Sequence, residues 1–374
     1  MQDRRFLCGS APIVHSQDFL LRAPVGLLPV LIFLVVLVWM DSYKLVTVRA
    51  VLLTILAGVM TAIVAWWVNG WLMARVPGDL YFYTRYVSPP VEECLKALVV
   101  IGLFRAHRIG FLVDAAIFGF AVGAGFALAE NLYNLYRAYD ANMAVWVVRG
   151  FGTALMHGGV CSIFAVISQS MTERNMKVNP ARYLPGLAAA VLLHSFFNHF
   201  LLPPVMMAFF FVLVLPPIMV VVFRRSANHL HHWLQLDFDA DAKLLRQIGS
   251  GEFSSSNIGR FLGDLRDKFP GPVVVDLLCY LRLYTELAMR AKGVLMMREN
   301  GLDMPVGERT RDKFIELDYL RRSIGRTGLL AIRPFLHMER KDLWQLKVLA
   351  AGVKRAGRDE KPDIEAYSGR QRVD

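Results

Sequence analysis

Cysteine is scarce in this sequence and its few copies are unpaired. Cys8, Cys94, Cys161 and Cys279 show no paired spacing, and Cys94 and Cys161 lie inside apolar segments. Neither a disulfide framework nor a zinc-finger ligand set is therefore expected. Charge is also thin, since Asp, Glu, Lys and Arg make up 20% of the chain. No basic run interleaves with aromatics, so the formal net charge of +11 points to anionic lipid headgroups and not to nucleic acid. HExxH and GxSxG are missing from the apolar part, and Ser195 lacks the strand-turn-helix setting of a nucleophile elbow, which argues against zincin and serine chemistry. The first 22 residues carry Arg4, Arg5 and Arg22 but no apolar core, so they do not form a cleavable signal peptide by themselves.

Long hydrophobic runs are what the chain has instead. Of its 374 residues 55% are hydrophobic, and the mean hydropathy is +0.40, above the usual range of soluble domains. A helical span needs roughly 20 mainly apolar residues. Seven stretches approach that, at about 24–40, 50–72, 88–104, 111–134, 146–170, 183–202 and 205–223. The fold class read from this pattern is all-α, a polytopic membrane bundle of about seven helices. From Arg224 the composition becomes charged, and Phe314, Leu317, Leu320 and Ile324 recur at helical spacing, as do apolar positions along 273–296 and 343–352. The expected division is a polar segment 1–23, a transmembrane catalytic domain 24–223, a soluble helical domain 224–354 and a disordered tail 355–374. A weak Lys/Arg asymmetry places the C-terminal domain in the cytoplasm.

Ionisable side chains inside spans cost roughly 2.5 to 3.5 kcal/mol near the centre, so each needs a partner or a function. Glu92, Glu93 and Lys96 fall in the third span, Asp114 and Glu130 in the fourth, His157 in the fifth, and His194, Asn198 and His199 in the sixth. Alternating helix directions bring the polar groups of four spans towards one layer. Glu92 and Lys96 are four apart, as are His194 and Asn198, which puts each pair on one helix face. Glu130, Asn131 and Asn134 end the fourth span, and Gly119, Gly123 and Gly125 leave its earlier turns bare for close helix approach. Asp114 reads as structural and His199 as peripheral. A lone buried histidine is more often a core hydrogen-bonding group than a catalyst; the coincidence of several such groups at one depth favours function.

Two chemistries fit this inventory. A buried carboxylate beside a second one can act as general base towards water, with an imidazole as proton donor or oxyanion partner. Alternatively, two histidines and a carboxylate, here His157, His194 and Glu92, make the ligand set of a catalytic zinc site. No cofactor is needed in the first case, and zinc in the second. The same carboxylates would also suit a proton-coupled transporter or channel.

The sequence resembles the PrsW intramembrane proteases, distant relatives of the CAAX-prenyl endopeptidases. The likeness rests on Glu92-Glu93-Cys94-Leu95-Lys96, on Phe126-Ala127-Leu128-Ala129-Glu130-Asn131 with Tyr133 or Tyr136 behind it, on His157, and on His194-Ser195-Phe196-Phe197-Asn198. The resemblance implies an endopeptidase of a bacterial cytoplasmic membrane that cleaves membrane-anchored proteins, with anti-sigma factors as known substrates of the family. Carried over, Glu92 activates water, Glu93 orients it, and His157, His194 and Asn198 complete the catalytic set, with Lys96, Glu130 and Asn131 in support. The CAAX relatives carry a histidine at the second element, where this chain has Glu130-Asn131. The C-terminal domain lies outside the motifs and is expected to bind a regulatory or partner protein.

Overall fold

The computed structural model describes residues 16–41, 46–137, 142–172, 179–249, 256–299, 302, 308–336, 344–346, 349–350 and 352. The described residues are almost wholly helical and include no strand. They fall into two compact units, one built from residues up to Ala227 and the other from Asn228 onwards. Cys8 and the expected tail 355–374 lie outside the described residues.

Seven helices occupy the apolar stretches of the first unit. They are α1 (Ser16–Trp39), α2 (Val48–Met73), α3 (Ser88–Arg105), α4 (Leu112–Arg137), α5 (Ala154–Thr172), α6 (Leu184–Asn198) and α7 (Pro204–Gly249), the last running on past the unit boundary. Helix α1 begins earlier than the polarity of residues 1–23 suggests. Among the described residues, five segments are long and apolar enough to cross a membrane: Leu21–Trp39, Val48–Met73, Leu112–Arg137, Met143–Thr172 and Pro204–Asn228. Helix α3, with 18 residues, carries Glu92, Glu93, Lys96 and Arg105. Helix α6 has 15 residues, about 22 Å at 1.5 Å per residue, short of a hydrocarbon core of roughly 30 Å. The chain is an integral membrane protein, and its two shortest apolar helices, α3 and α6, both carry buried polar groups, as do the longer α4 and α5.

Helix α4 is the buried centre of this unit, flanked by α2 and α5. Its glycines explain why. A Cβ on Gly125 would lie 2.0 Å from the carbonyl oxygen of Ile55, and one on Gly123 would lie 2.1 Å from that of His157. Backbone therefore packs on backbone, the small-residue solution for helices in lipid. Asp114 starts the helix by accepting from the amides of Gly110 and Phe111 at 2.9 and 3.2 Å, satisfying donors that have no helical partner.

Two π-helical stretches interrupt the regular geometry. Tyr83–Val87 leads into α3, and Val148–Thr153 joins the short helix Met143–Val147 to α5. Such turns shift side-chain register and recur at functional sites. In the first, the amide of Ser88 donates to Tyr83 O, five residues back. The next two donors in that register would be Pro89 and Pro90, which have no N–H. The carbonyls left over, Thr84 O and Arg85 O, accept instead from the Asn198 amide at 2.9 Å and the Ser195 hydroxyl at 2.5 Å on α6.

The second unit has its own core. Helix α8 (Asn257–Asp264) is capped by Ser256, and α9 (Gly271–Glu299) packs on α10 (Glu308–Ile332). Leu277, Leu281, Leu287 and Val294 are buried with Leu320 and Ile324, and Phe314 and Leu317 pack against them. The helical spacing along 314–324 is thus the buried stripe of α10. Gly325 interrupts that helix at φ +63, a conformation glycine adopts without strain.

Candidate active site

Helix α3 supplies three groups, and its first turns separate their directions. Glu92 leans towards α2, and its Oε1 accepts from Ser88 Oγ on its own helix at 2.5 Å and from Asn69 Nδ2 on α2 at 3.3 Å. Asn69 is itself held by Tyr83, whose hydroxyl lies 3.0 Å from both its backbone and side-chain oxygens. Glu93 turns into the bundle. Its Oε1 accepts from Lys96 Nζ at 2.6 Å and from His194 Nδ1 at 2.8 Å. Lys96 therefore bonds the carboxylate three residues back, and not Glu92 four residues back; it is fully buried and stands 4.3 Å over the Phe126 ring.

The chain of contacts continues through α5 to α4. Lys96 Nζ is 2.9 Å from His157 Nδ1, and His157 Nε2 is 2.9 Å from Glu130 Oε2. An ammonium only donates and a carboxylate only accepts. His157 Nδ1 is then an acceptor, its proton sits on Nε2, and it donates to Glu130. Glu130 Oε1 takes a bond from Arg149 at 2.8 Å, and the Arg149 Nε donates to Asn131 Oδ1 at 3.1 Å. Asn131 completes its set by donating to Gly26 O at 2.8 Å, which fastens α1 to this end of α4.

The same bookkeeping of donors exposes one unsatisfied juncture. His194 must donate through Nδ1 to the Glu93 carboxylate, so the neutral ring presents a lone pair at Nε2. That atom faces Glu92 Oε2 across 4.0 Å, a separation with no hydrogen bond. Two acceptors face each other there, and what reconciles them is a shared proton, a water donating to both, or a cation. The His157 and His194 rings lie 4.9 Å apart, edge to face.

Glu92, His157 and His194 each offer one ligand atom, all within 4.8 Å of one another. Two histidines and a carboxylate are the donor set of catalytic zinc. Each histidine is also backed by a carboxylate, Glu93 on His194 and Glu130 on His157, the arrangement that fixes ring orientation at metal sites. The residues fit a divalent metal, on condition that Lys96 yields its place where His157 Nδ1 is the ligand.

Of the site residues expected from sequence, the structure brings together Glu92, Glu93, Lys96, Glu130, Asn131, His157 and His194. Asn198 stands apart, bonded to the π-helical turn before α3. His199 bonds Tyr86 at 3.0 Å and its own helix, away from the cluster. Participants not expected are Arg149, Asn69, Ser88 and, behind Asn69, Tyr83. Arg149 sits at the head of an apolar stretch, where an arginine ordinarily marks a membrane boundary. Asn69 is an uncharged polar residue near the end of a span and carries no spacing signal.

A cavity of about 440 Å³ adjoins the cluster, lined by Ala62, Ile63, Ala65, Trp66, Asn69, Glu92, Phe126, Ala129, Glu130, Tyr133 and Asn134. Its walls are apolar except where Glu92, Glu130 and the two asparagines reach it. Residues 43–223 match the family described as PrsW family intramembrane metalloprotease, a span that runs from the segment before α2 into α7. No curated protein and no solved structure matches the chain.

Proposed function

We propose that the membrane unit, whose residues 43–223 match the PrsW family of intramembrane metalloproteases, hydrolyses peptide bonds of membrane-anchored proteins with Glu92 as the group that activates water. The observation that carries this reading is the 4.0 Å gap between Glu92 Oε2 and His194 Nε2. A water in that gap donates to both acceptors, and Glu92 also lines the cavity through which a substrate carbonyl would approach. Glu92 takes one proton as the water oxygen attacks the carbonyl carbon. The same proton then passes to the leaving amine as the C–N bond breaks, which returns the carboxylate to its starting state. Glu93 holds His194 in the tautomer that leaves Nε2 open, and Lys96 neutralises Glu93 while fixing the tautomer of His157. Asn69 and Ser88 aim the Glu92 carboxylate.

Zinc held by Glu92, His157 and His194 would supply a Lewis acid at this position and lower the pKa of a bound water to about 7. Zinc content of the purified protein, compared with that of His157→Ala, tests whether the metal belongs to this site. Asn198 acts in this scheme by positioning α6, and with it His194. We place the chain in a bacterial cytoplasmic membrane with the C-terminal unit in the cytoplasm, where that unit binds a partner. Anti-sigma factors are the substrate class the family resemblance favours.

The test is quantitative membrane proteomics of cells carrying the wild type or Glu92→Gln at equal expression. One or more membrane proteins accumulate uncut in the variant, with loss of a discrete fragment. Indistinguishable membrane proteomes would refute the proteolytic reading.

A further inference from the structure

The cavity beside Glu92 has a shape and a lining that the hydrolytic chemistry alone does not require. At about 440 Å³ it lies towards the lower end of the range for ligand pockets, roughly 300 to 1,000 Å³. A helix with its side chains is about 10 to 12 Å across and rises about 5.4 Å per turn, so this volume holds on the order of one turn's worth of chain. An intact transmembrane helix does not fit. An unwound stretch with one large side chain does, and unwinding also frees the peptide carbonyl that a nucleophile must reach.

The lining is graded from mouth to floor. Trp66 on α2 and Tyr133 on α4 line the cavity yet are 55% and 42% exposed, so they stand at its mouth, with ring centroids 6.1 Å apart. Small residues, Ala62 and Ala129, leave space behind them, and Phe126 closes the floor next to Lys96 and His157. The two half-exposed rings come from different helices and meet over a pocket whose polar end is Glu92. Any side chain seated in the pocket passes beside this ring pair and lies next to the bond presented to that carboxylate.

We propose that this cavity is the substrate side-chain pocket, that it takes one aliphatic residue next to the scissile bond of an unwound apolar segment, and that Trp66 and Tyr133 set the size it accepts. The proposal rests on the proteolytic reading above. It adds a selection rule: residues at the pocket position are aliphatic and of middle size, since Ala62 and Ala129 provide depth while the two rings restrict width. Widening the mouth and filling the floor have opposite consequences.

The experiment maps the new termini of membrane-protein fragments in cells expressing the full chain as wild type, Glu92→Gln, Trp66→Ala, Trp66→Phe or Ala62→Leu. Fragments lost in Glu92→Gln define the authentic cut sites. Trp66→Ala shifts the residue at one fixed position beside those sites towards Phe, Tyr and Trp by at least about tenfold, the low end for a methylene-sized change in an apolar pocket. Ala62→Leu shifts the same position towards Ala, Ser and Val, and Trp66→Phe gives an intermediate profile. Trp66 is half-exposed, so its truncation leaves the core in place, and Ala62→Leu supplies an independent arm if one variant fails to accumulate. Glu92-dependent cuts with an unchanged residue profile in both variants would overturn the pocket while sparing the protease. An absence of Glu92-dependent cuts would overturn both, and the two failures are thereby told apart.

Discussion

Each unit of this molecule buries a lysine against a carboxylate, and the two pairs have different surroundings. Lys96 and Glu93 meet at 2.6 Å in the membrane unit; Lys292 and Asp241 meet at 2.6 Å in the C-terminal unit. Both lysines are 1% exposed or less. The Lys96 pair continues into two histidines, two further glutamates and an arginine, and adjoins a cavity of about 440 Å³. The Lys292 pair adjoins a void of about 10 Å³, lined by Thr285 and Gln345 among others, with room for no more than a single water. A buried ion pair is therefore not in itself a sign of chemistry. What marks the first pair is that its network ends on acceptors facing each other and on space that a substrate can enter.

That contrast can be broken or sharpened by substitution. The largest effect on stability is expected from Lys292→Met, which removes the 2.6 Å ion-pair partner of a buried Asp241 and should cost about 3 to 5 kcal/mol in chemical denaturation of the C-terminal unit. Lys292→Met with Asp241→Leu should recover most of that loss, and cleavage per folded molecule should persist in both; a collapse of cleavage in folded protein would erase the distinction between the pairs. Lys96→Met should lower cleavage about 100-fold, the low end of a lost acid-base arrangement, because His157 and Glu93 both lose the group that fixes them. Normal turnover by that variant would reduce Lys96 to a counterion like Lys292.

Smaller effects separate packing from chemistry. Gly123→Ala drives a methyl into the carbonyl of His157 and should cost about 1 to 3 kcal/mol, read as a lower melting temperature in detergent. No change there would mean that α4 and α5 are free to separate without disturbing His157. Asn69→Ala removes one bond to Glu92, worth about 1 kcal/mol, and should slow cleavage a few-fold while leaving melting nearly unchanged.

Much of this site was legible in the sequence because ionisable residues are costly in apolar helices and stand out there. Glu92, Glu93, Lys96, Glu130, His157 and His194 all announce themselves that way. The partner choices were less legible. Spacing put Glu92 and Lys96 on one face, yet Lys96 bonds Glu93, since a long side chain reaches either neighbour and the histidine rings decide which way each carboxylate turns. Spacing likewise put Asn198 beside His194, but the π-helical turn before α3 offers carbonyls that draw the amide away. No periodicity encodes such a turn. The C-terminal unit shows the reverse pattern: the stripe on α10 followed from the apolar repeat at Phe314, Leu317, Leu320 and Ile324, while its buried Lys292 is indistinguishable by sequence from the exposed Lys243 and Lys268.

The two prolines at the head of α3 have a consequence for assembly. By withholding two protons they leave Thr84 and Arg85 as open sockets, and Ser195 and Asn198 are the matching plugs, three residues apart on α6. The two helices thus meet through main-chain vacancies as well as through the Glu93–His194 bond, and the fit favours one register. Helix α6 can make that fit only with α3 and its preceding turn already formed, and making it brings His194 to Glu93. A chain halted before that step would hold its carboxylates in the membrane without the ring that completes the site, and would stay inert until its final helices were in place.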